Sequence, residues 1–167
     1  MTIRRQLKRA LGLAALLAAC AAHAASAVPM LSGWQADCRQ AGEQGKPVVL
    51  FFTLPGCRFC EQLRQSYMPG LLQRGEIVRE VVIDSVQPVT GFAGAATHRA
   101  VARKAGVKVA PVVILADPCG RPLADPIVGG DVAGLYGGYL DNAFEEAQHK
   151  LAARPAGERS CSCRSAA

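Results

Sequence analysis

Cys57 and Cys60 are separated by two residues and follow directly on a short apolar run that ends in Leu54-Pro55-Gly56. Two thiols one helical turn apart can close into a disulfide, and either sulfur of that bond can be attacked by another thiolate. The thiolate is the reacting species, so the chemistry depends on what holds the proton off. A cysteine at the start of a helix meets free N–H groups and the positive end of the helix dipole, both of which favour the thiolate. Arg58 adds a cation beside it. The pattern therefore predicts thiol–disulfide exchange, with Cys57 attacking and Cys60 resolving. Two blander uses of the pair compete with this. One is a structural bridge; the other is half of a zinc site completed by Cys161-Ser162-Cys163. Zinc ribbons are built from two compact knuckles, whereas here a strand-turn-helix would have to join a distant tail.

Seven cysteines in 167 residues is an odd number. The N-terminus resolves it. Arg4, Arg5, Lys8 and Arg9 precede an apolar run from Ala10 to Ala22, and small residues follow through Ala27. A basic start, a short apolar stretch and a small-residue cleavage site make residues 1–27 an export signal. The stretch is shorter than the roughly 20 apolar residues of a permanent membrane span. Leu17-Ala18-Ala19-Cys20 resembles a lipobox, which makes Cys20 a lipidation candidate. Ala22-His23-Ala24 and Ala25-Ser26-Ala27 offer ordinary cleavage instead. Either route leaves six cysteines, an even set that suits an oxidising compartment.

The same segment carries much of the charge. The chain has 19 basic and 13 acidic residues, a net +6. Removing the four leader bases leaves fifteen against thirteen, near +2, which is no electrostatic footprint for nucleic acid. Half the residues are hydrophobic and only 19% are charged, so the mature chain can bury a core and is not disordered. The division expected is a signal at 1–27 (lipobox at 17–20), one domain at 28–152 and a cysteine-bearing tail at 153–167.

Several elements must position the pair. Trp34, Cys38 and Ala41 form a helical stripe within Leu31–Gln44. Val48–Thr53 is a continuous apolar run, which reads as a strand buried on both faces. A helix opens at Cys57 with Phe59, Leu63 and Tyr67 spaced by four, and Pro69-Gly70 kinks or ends it. A strand follows at Ile77–Ile83, then a loop at 84–94, a helix at Ala95–Ala105, a strand at Pro111–Ala116, a tight turn at Asp117–Gly120 and a short strand at Ile127-Val128. Gly129-Gly130 break the pattern. Asp131 is expected to cap a last helix whose stripe runs Val132, Leu135, Tyr136, Tyr139, Leu140, Ala143, Phe144, Ala147, Leu151, with close packing at Gly137-Gly138. The order gives an α/β protein with a mixed sheet. His98 and His149 read as surface residues and Cys38 as a small buried hydrophobe.

The strand Val48–Phe52, the Pro55-Gly56 turn, Cys57-Arg58-Phe59-Cys60, and Gly106-Val107-Lys108-Val109-Ala110-Pro111 leading into Val112–Leu115 resemble the thioredoxin superfamily over roughly residues 31–151. That resemblance implies a thioredoxin-like three-layer α/β/α sandwich with a mixed central sheet, and no cofactor beyond the redox-active disulfide. It implies that Pro111 is cis and faces the cysteine pair, with the Ala110 backbone pairing with a substrate strand. Arg58 and Phe59 complete the expected substrate surface. Typical cytosolic thioredoxins carry a buried acid in the strand before the pair, at the position held here by Phe51. The family's exchange chemistry is therefore taken over without its direction. Gly45-Lys46-Pro47 before the strand and the run Glu61–Met68 after the pair are similar to periplasmic reductase-type domains. Those include soluble thioredoxins of cytochrome maturation or sulfur oxidation, and the C-terminal domain of the membrane electron conduit.

These readings predict a periplasmic, monomeric thiol–disulfide oxidoreductase. It would act reductively on protein thiols and disulfides, draw electrons from a membrane donor of the disulfide-reductase type, bind no nucleic acid, and sit on a membrane only if Cys20 is lipidated. The rival is a non-catalytic copper or zinc module using Cys57, Cys60 and the tail. In the family's topology the turn bearing Cys119 and the end of the last helix lie at the sheet end opposite the active site. Cys119 is expected to pair with Cys161 or Cys163, leaving the other for its neighbour, for Cys38 or for a partner. An extended tail reaches about 33 Å, so a relay to Cys57 by a second redox pair is also within its length.

Overall fold

The computed structural model describes residues 27–154. Residues 1–26 of the expected export signal, with Cys20, and the tail residues Cys161 and Cys163 lie outside them. Strand β1 (Val48–Thr53) is the centre of a mixed four-stranded sheet of order β2-β1-β3-β4. It runs parallel to β2 (Ile77–Val82), with Val48 opposite Ile77 and Phe51 opposite Glu80. It runs antiparallel to β3 (Val112–Ala116), with Phe52 opposite Val112. The two-residue β4 (Ile127–Val128) pairs antiparallel with β3 at the far edge. All six residues of β1 are buried, because helices cover both faces. This is why the strand reads as an unbroken apolar run rather than an alternating one.

Side chains of β1 alternate between two cores. Val49 and Phe51 pack with Cys60, Leu63, Leu71, Leu140 and Phe144, which belong to α2 (Arg58–Ser66), α3 (Met68–Gln73) and α5 (Tyr136–Ala152). Val48, Leu50 and Phe52 pack with Trp34, Cys38 and Ala41 of α1 (Trp34–Gln44) and with Val101 and Ala102 of α4 (His98–Lys104). The expected three-layer sandwich is the observed one. Among the described residues, no helix is long and apolar enough to cross a membrane.

Several local expectations change. The helix opened at Cys57 does not run on through Tyr67. It ends at Ser66, and a second helix starts at Met68 with Pro69 in its first turn, where a missing N–H costs nothing. Its buried face is Cys60 and Leu63, while Phe59 is 45% exposed. The last helix begins at Tyr136 and not near Val132, because Gly134 takes φ +71° and breaks the rise. Val132 and Leu135 are consequently exposed, at 84% and 59%, and Tyr139 faces solvent too. The close packing expected at the glycine pair is not found: a Cβ on Gly137 would make only ordinary contact with Tyr67 Cε1 at 3.7 Å, and one on Gly138 would meet nothing within 4 Å.

His98 is not a surface residue. It is 1% exposed, its Nδ1 accepts the Val82 N–H at 3.0 Å, and its Nε2–H donates to the Leu31 carbonyl at 2.8 Å. It fastens the end of β2 to the N-terminal segment, which itself extends the sheet edge through Leu31 N–H to Glu80 O and Glu80 N–H to Pro29 O.

The sheet end away from Cys57 is tied by Asp117. Its side chain is fully buried and accepts from the Cys119 and Arg121 N–H groups, from Arg121 Nε at 2.8 Å and from Arg154 Nη1 at 2.5 Å. Burial alone would raise its carboxyl. The Arg154 hydrogen bond, with those from Arg121 and the Arg121 charge, reverses this and holds it below the usual carboxylate range. Trp34 Nε1–H donates to the Pro118 carbonyl at 3.0 Å and brings α1 to the same turn.

Candidate active site

Strand β1 delivers the chain to Leu54-Pro55-Gly56, where Gly56 takes φ +71°, a value open to glycine at no steric cost. The turn is closed by Cys57 N–H to Leu54 O at 3.3 Å. Cys57 is then the N-cap of α2, in extended conformation, and its Sγ accepts the Cys60 N–H at 3.1 Å. Cys57 and Cys60 are disulfide-bonded to each other. Cys60 is fully buried, while Cys57 is half-buried and forms the accessible end of the bond. An incoming thiolate can therefore reach Cys57 and not Cys60. The cap that accepts an N–H as part of a disulfide accepts it more strongly as a thiolate.

The flanking surface comes from three more segments. The Ala110–Pro111 peptide is cis, as the resemblance implied. Because Phe52 pairs with Val112, Pro111 lies beside the end of β1, at the sheet end that bears Cys57. The Pro111 carbonyl accepts the Gly129 N–H at 2.9 Å and is fixed by it. Ala110 is half-buried and Arg58 exposed.

Two residues were not singled out as functional from sequence. Gly130 lies against Phe59: a Cβ there would meet Phe59 Cδ1 at 2.6 Å and Cβ at 2.8 Å. Asp131 anchors the same loop to α2. It accepts from the Tyr67 hydroxyl, and its carbonyl takes Gln62 Nε2–H at 3.0 Å. The Tyr67 hydrogen bond, with those from the Gly134, Tyr136 and Ala133 N–H groups, holds the Asp131 carboxyl below its usual range. Gly130, which packs on Phe59, also lines a groove with Ile127, Val128, Val132, Tyr136 and Tyr139, to which Asp125, Asn142 and Glu146 add polar groups.

Phe51 is fully buried beneath α2 with the Arg64 guanidinium 5.8 Å from its ring centre. The carboxylate of this layer sits one strand over. Glu80, opposite Phe51 in β2, is buried and accepts from Thr53 Oγ1 at 2.7 Å and from Arg64 Nη2 and Nε at 2.5 and 3.2 Å. An acid in the middle of the run Ile77–Val82 is the sequence signal that marks it.

Cys38 and Cys119 are both disulfide-bonded, so Cys38 is more than the small hydrophobe its stripe suggested. Among the described residues, no group of three or more His, Cys, Asp or Glu side chains gathers in a way that could hold a metal ion.

The model of a thioredoxin-like domain matches residues 34–134, which is more than half of the chain. Among curated proteins, none matches significantly. Solved structures share the architecture. An oxidoreductase described as DsbH superposes with a TM-score of 0.51 at 18% identity, over 72% of this chain and 88% of that one. A poplar thioredoxin h gives 0.48 at 16% identity, over 65% of this chain and 86% of that one. The C-terminal domain of Neisseria meningitidis DsbD in its oxidised form gives 0.46 at 16% identity, over 68% and 98%. The chain belongs to the thioredoxin-like domain family.

Proposed function

We propose that the protein is an exported thiol–disulfide oxidoreductase that reduces disulfides in other proteins. One observation carries this reading: a half-buried cysteine at a helix N-cap, bonded to a fully buried one a turn later. In the dithiol form the Cys57 thiolate attacks a substrate disulfide. One substrate sulfur leaves as thiolate and the other stays joined to Cys57. Cys60 then loses its proton and attacks Cys57 Sγ, which closes the Cys57–Cys60 bond and releases the second substrate thiolate. The substrate gains two electrons and the pair loses two, so a further thiol donor must reduce it again. A membrane protein of the disulfide-reductase type suits that part in the periplasm.

Phe59 and Arg58 frame the approach, and the Ala110 backbone, ahead of the cis Pro111, is the pairing partner proposed for a substrate strand. The groove that starts at Gly130 suits apolar residues flanking the substrate cysteine. The reductive direction is supported by the segments around the pair that resemble periplasmic reductase-type domains. Export is supported by the residue pattern at 1–27, and Val28, the first residue past it, is already in the core. Insulin reduction driven by dithiothreitol tests the reading. Turnover that Cys57→Ser abolishes is expected; a rate equal to dithiothreitol alone would refute it.

A further inference from the structure

We infer that Cys161 and Cys163 are covalently held by Cys38 and Cys119, one to each, so that two disulfides staple the C-terminal tail to the pole of the domain opposite Cys57. Cys57 and Cys60 are bonded to each other and so are not partners for the rest. Cys38 and Cys119 are each disulfide-bonded. Both belong to the same pole. Cys38 lies on the buried face of α1, one turn from Trp34, whose indole donates to the Pro118 carbonyl next to Cys119. Ala41, Gly42, Pro118, Leu151 and Ala152 line one cavity there, so α1, the β3–β4 turn and the last turn of α5 converge. Arg154, bonded to Asp117, brings the chain out at this point.

From Arg154 the chain reaches Cys161 in seven residues, a span of up to about 25 Å. The Cys-Ser-Cys spacing suits two separate acceptors. In an extended segment residues i and i+2 face the same side, so this spacing can present two thiols to one surface. A bond between them would instead have to close across two peptide units, outside relaxed disulfide geometry. A direct Cys38–Cys119 bond would leave the tail with only that closure or two exposed thiols in an oxidising compartment. One bond to each tail sulfur uses all four. Each forms as two thiols give up two protons and two electrons to an oxidising disulfide, which leaves as two thiols; glutathione disulfide serves in the test tube. With its sulfurs engaged, the tail is an anchor for α5 and neither a relay to Cys57 nor a metal hook.

Peptide mapping tests this without any turnover, so its outcome is separate from that of the exchange reading. The full-length chain, exported or refolded with glutathione disulfide, is alkylated with iodoacetamide and digested with trypsin without reduction. Cys161 and Cys163 share the peptide 160–164. The expected product is one three-peptide species joining it to the peptides that carry Cys38 and Cys119. A two-peptide Cys38–Cys119 species, or peptide 160–164 recovered alkylated, overturns the inference. The variant C161S/C163S should lose about 5 °C or more in Tm while its insulin reduction stays within twofold of wild type. An unchanged Tm counts against the staple.

Discussion

Gly130 and Phe59 meet at a distance that admits no side chain on the glycine, since a Cβ would stand 2.6 Å from the phenyl Cδ1. The contact joins the loop after β4 to one of the two residues between the cysteines. It is a packing requirement set by close approach, because Gly130 is absent from the glycines with positive φ. Gly130→Ala must displace Phe59 or the loop, and overpacking of this kind costs about 1–3 kcal/mol. Insulin reduction should fall several-fold in Gly130→Ala, with a lowered Tm. The double variant with Phe59→Ala should recover most of the Tm, as a cycle between contacting residues requires. Additive losses would show that the contact is not the cause.

On the proposed function, the burial asymmetry of the cysteines predicts which one holds a trapped substrate. Cys60→Ser leaves the accessible sulfur with no resolving thiol, so a mixed disulfide on Cys57 should accumulate with substrate and be visible as a mass adduct. Cys57→Ser should form none. In the reduced protein, iodoacetamide should modify Cys57 faster than Cys60. Faster labelling at Cys60 would reverse the assignment.

Asp117 gives the domain an acid dependence of known sign. Its carboxyl is held lower in the folded chain than in the unfolded one. Its contribution is therefore complete above the ordinary aspartate range, near 3.9, and is lost as pH falls through the lowered folded value. Asp117→Asn keeps the shape but removes the charge from the Arg121 and Arg154 contacts. It should cost about 1.5–3 kcal/mol at pH 7 and flatten the fall in stability below pH 4. An equal loss at pH 7 and pH 3 would mean that the charge is not what matters.

Much of this was legible because the strand-turn-helix around Cys57 is local: the apolar run, the Pro55-Gly56 turn and the cap all lie within a dozen residues. Pro111 was legible through resemblance. What escaped depends on contacts between distant segments. His98 sits on a short helix with no apolar signature of its own, and its partners are a carbonyl at Leu31 and an N–H at Val82. Glu80 is satisfied by Thr53 and Arg64, neither of which announces a pairing in sequence. The stripe from Val132 misled because its period continues through Gly134, where the backbone turns left-handed and the helix has yet to begin.

The most direct test of the account is the reduction potential of the Cys57–Cys60 couple, read by equilibration against glutathione or dithiothreitol with Cys57 alkylation as the readout. A reversible two-electron couple at the reducing end, near the roughly −270 mV of thioredoxin, is the predicted result. A value close to the roughly −120 mV of a strong oxidase would contradict the reductive assignment. A pair that does not equilibrate at all would contradict exchange itself.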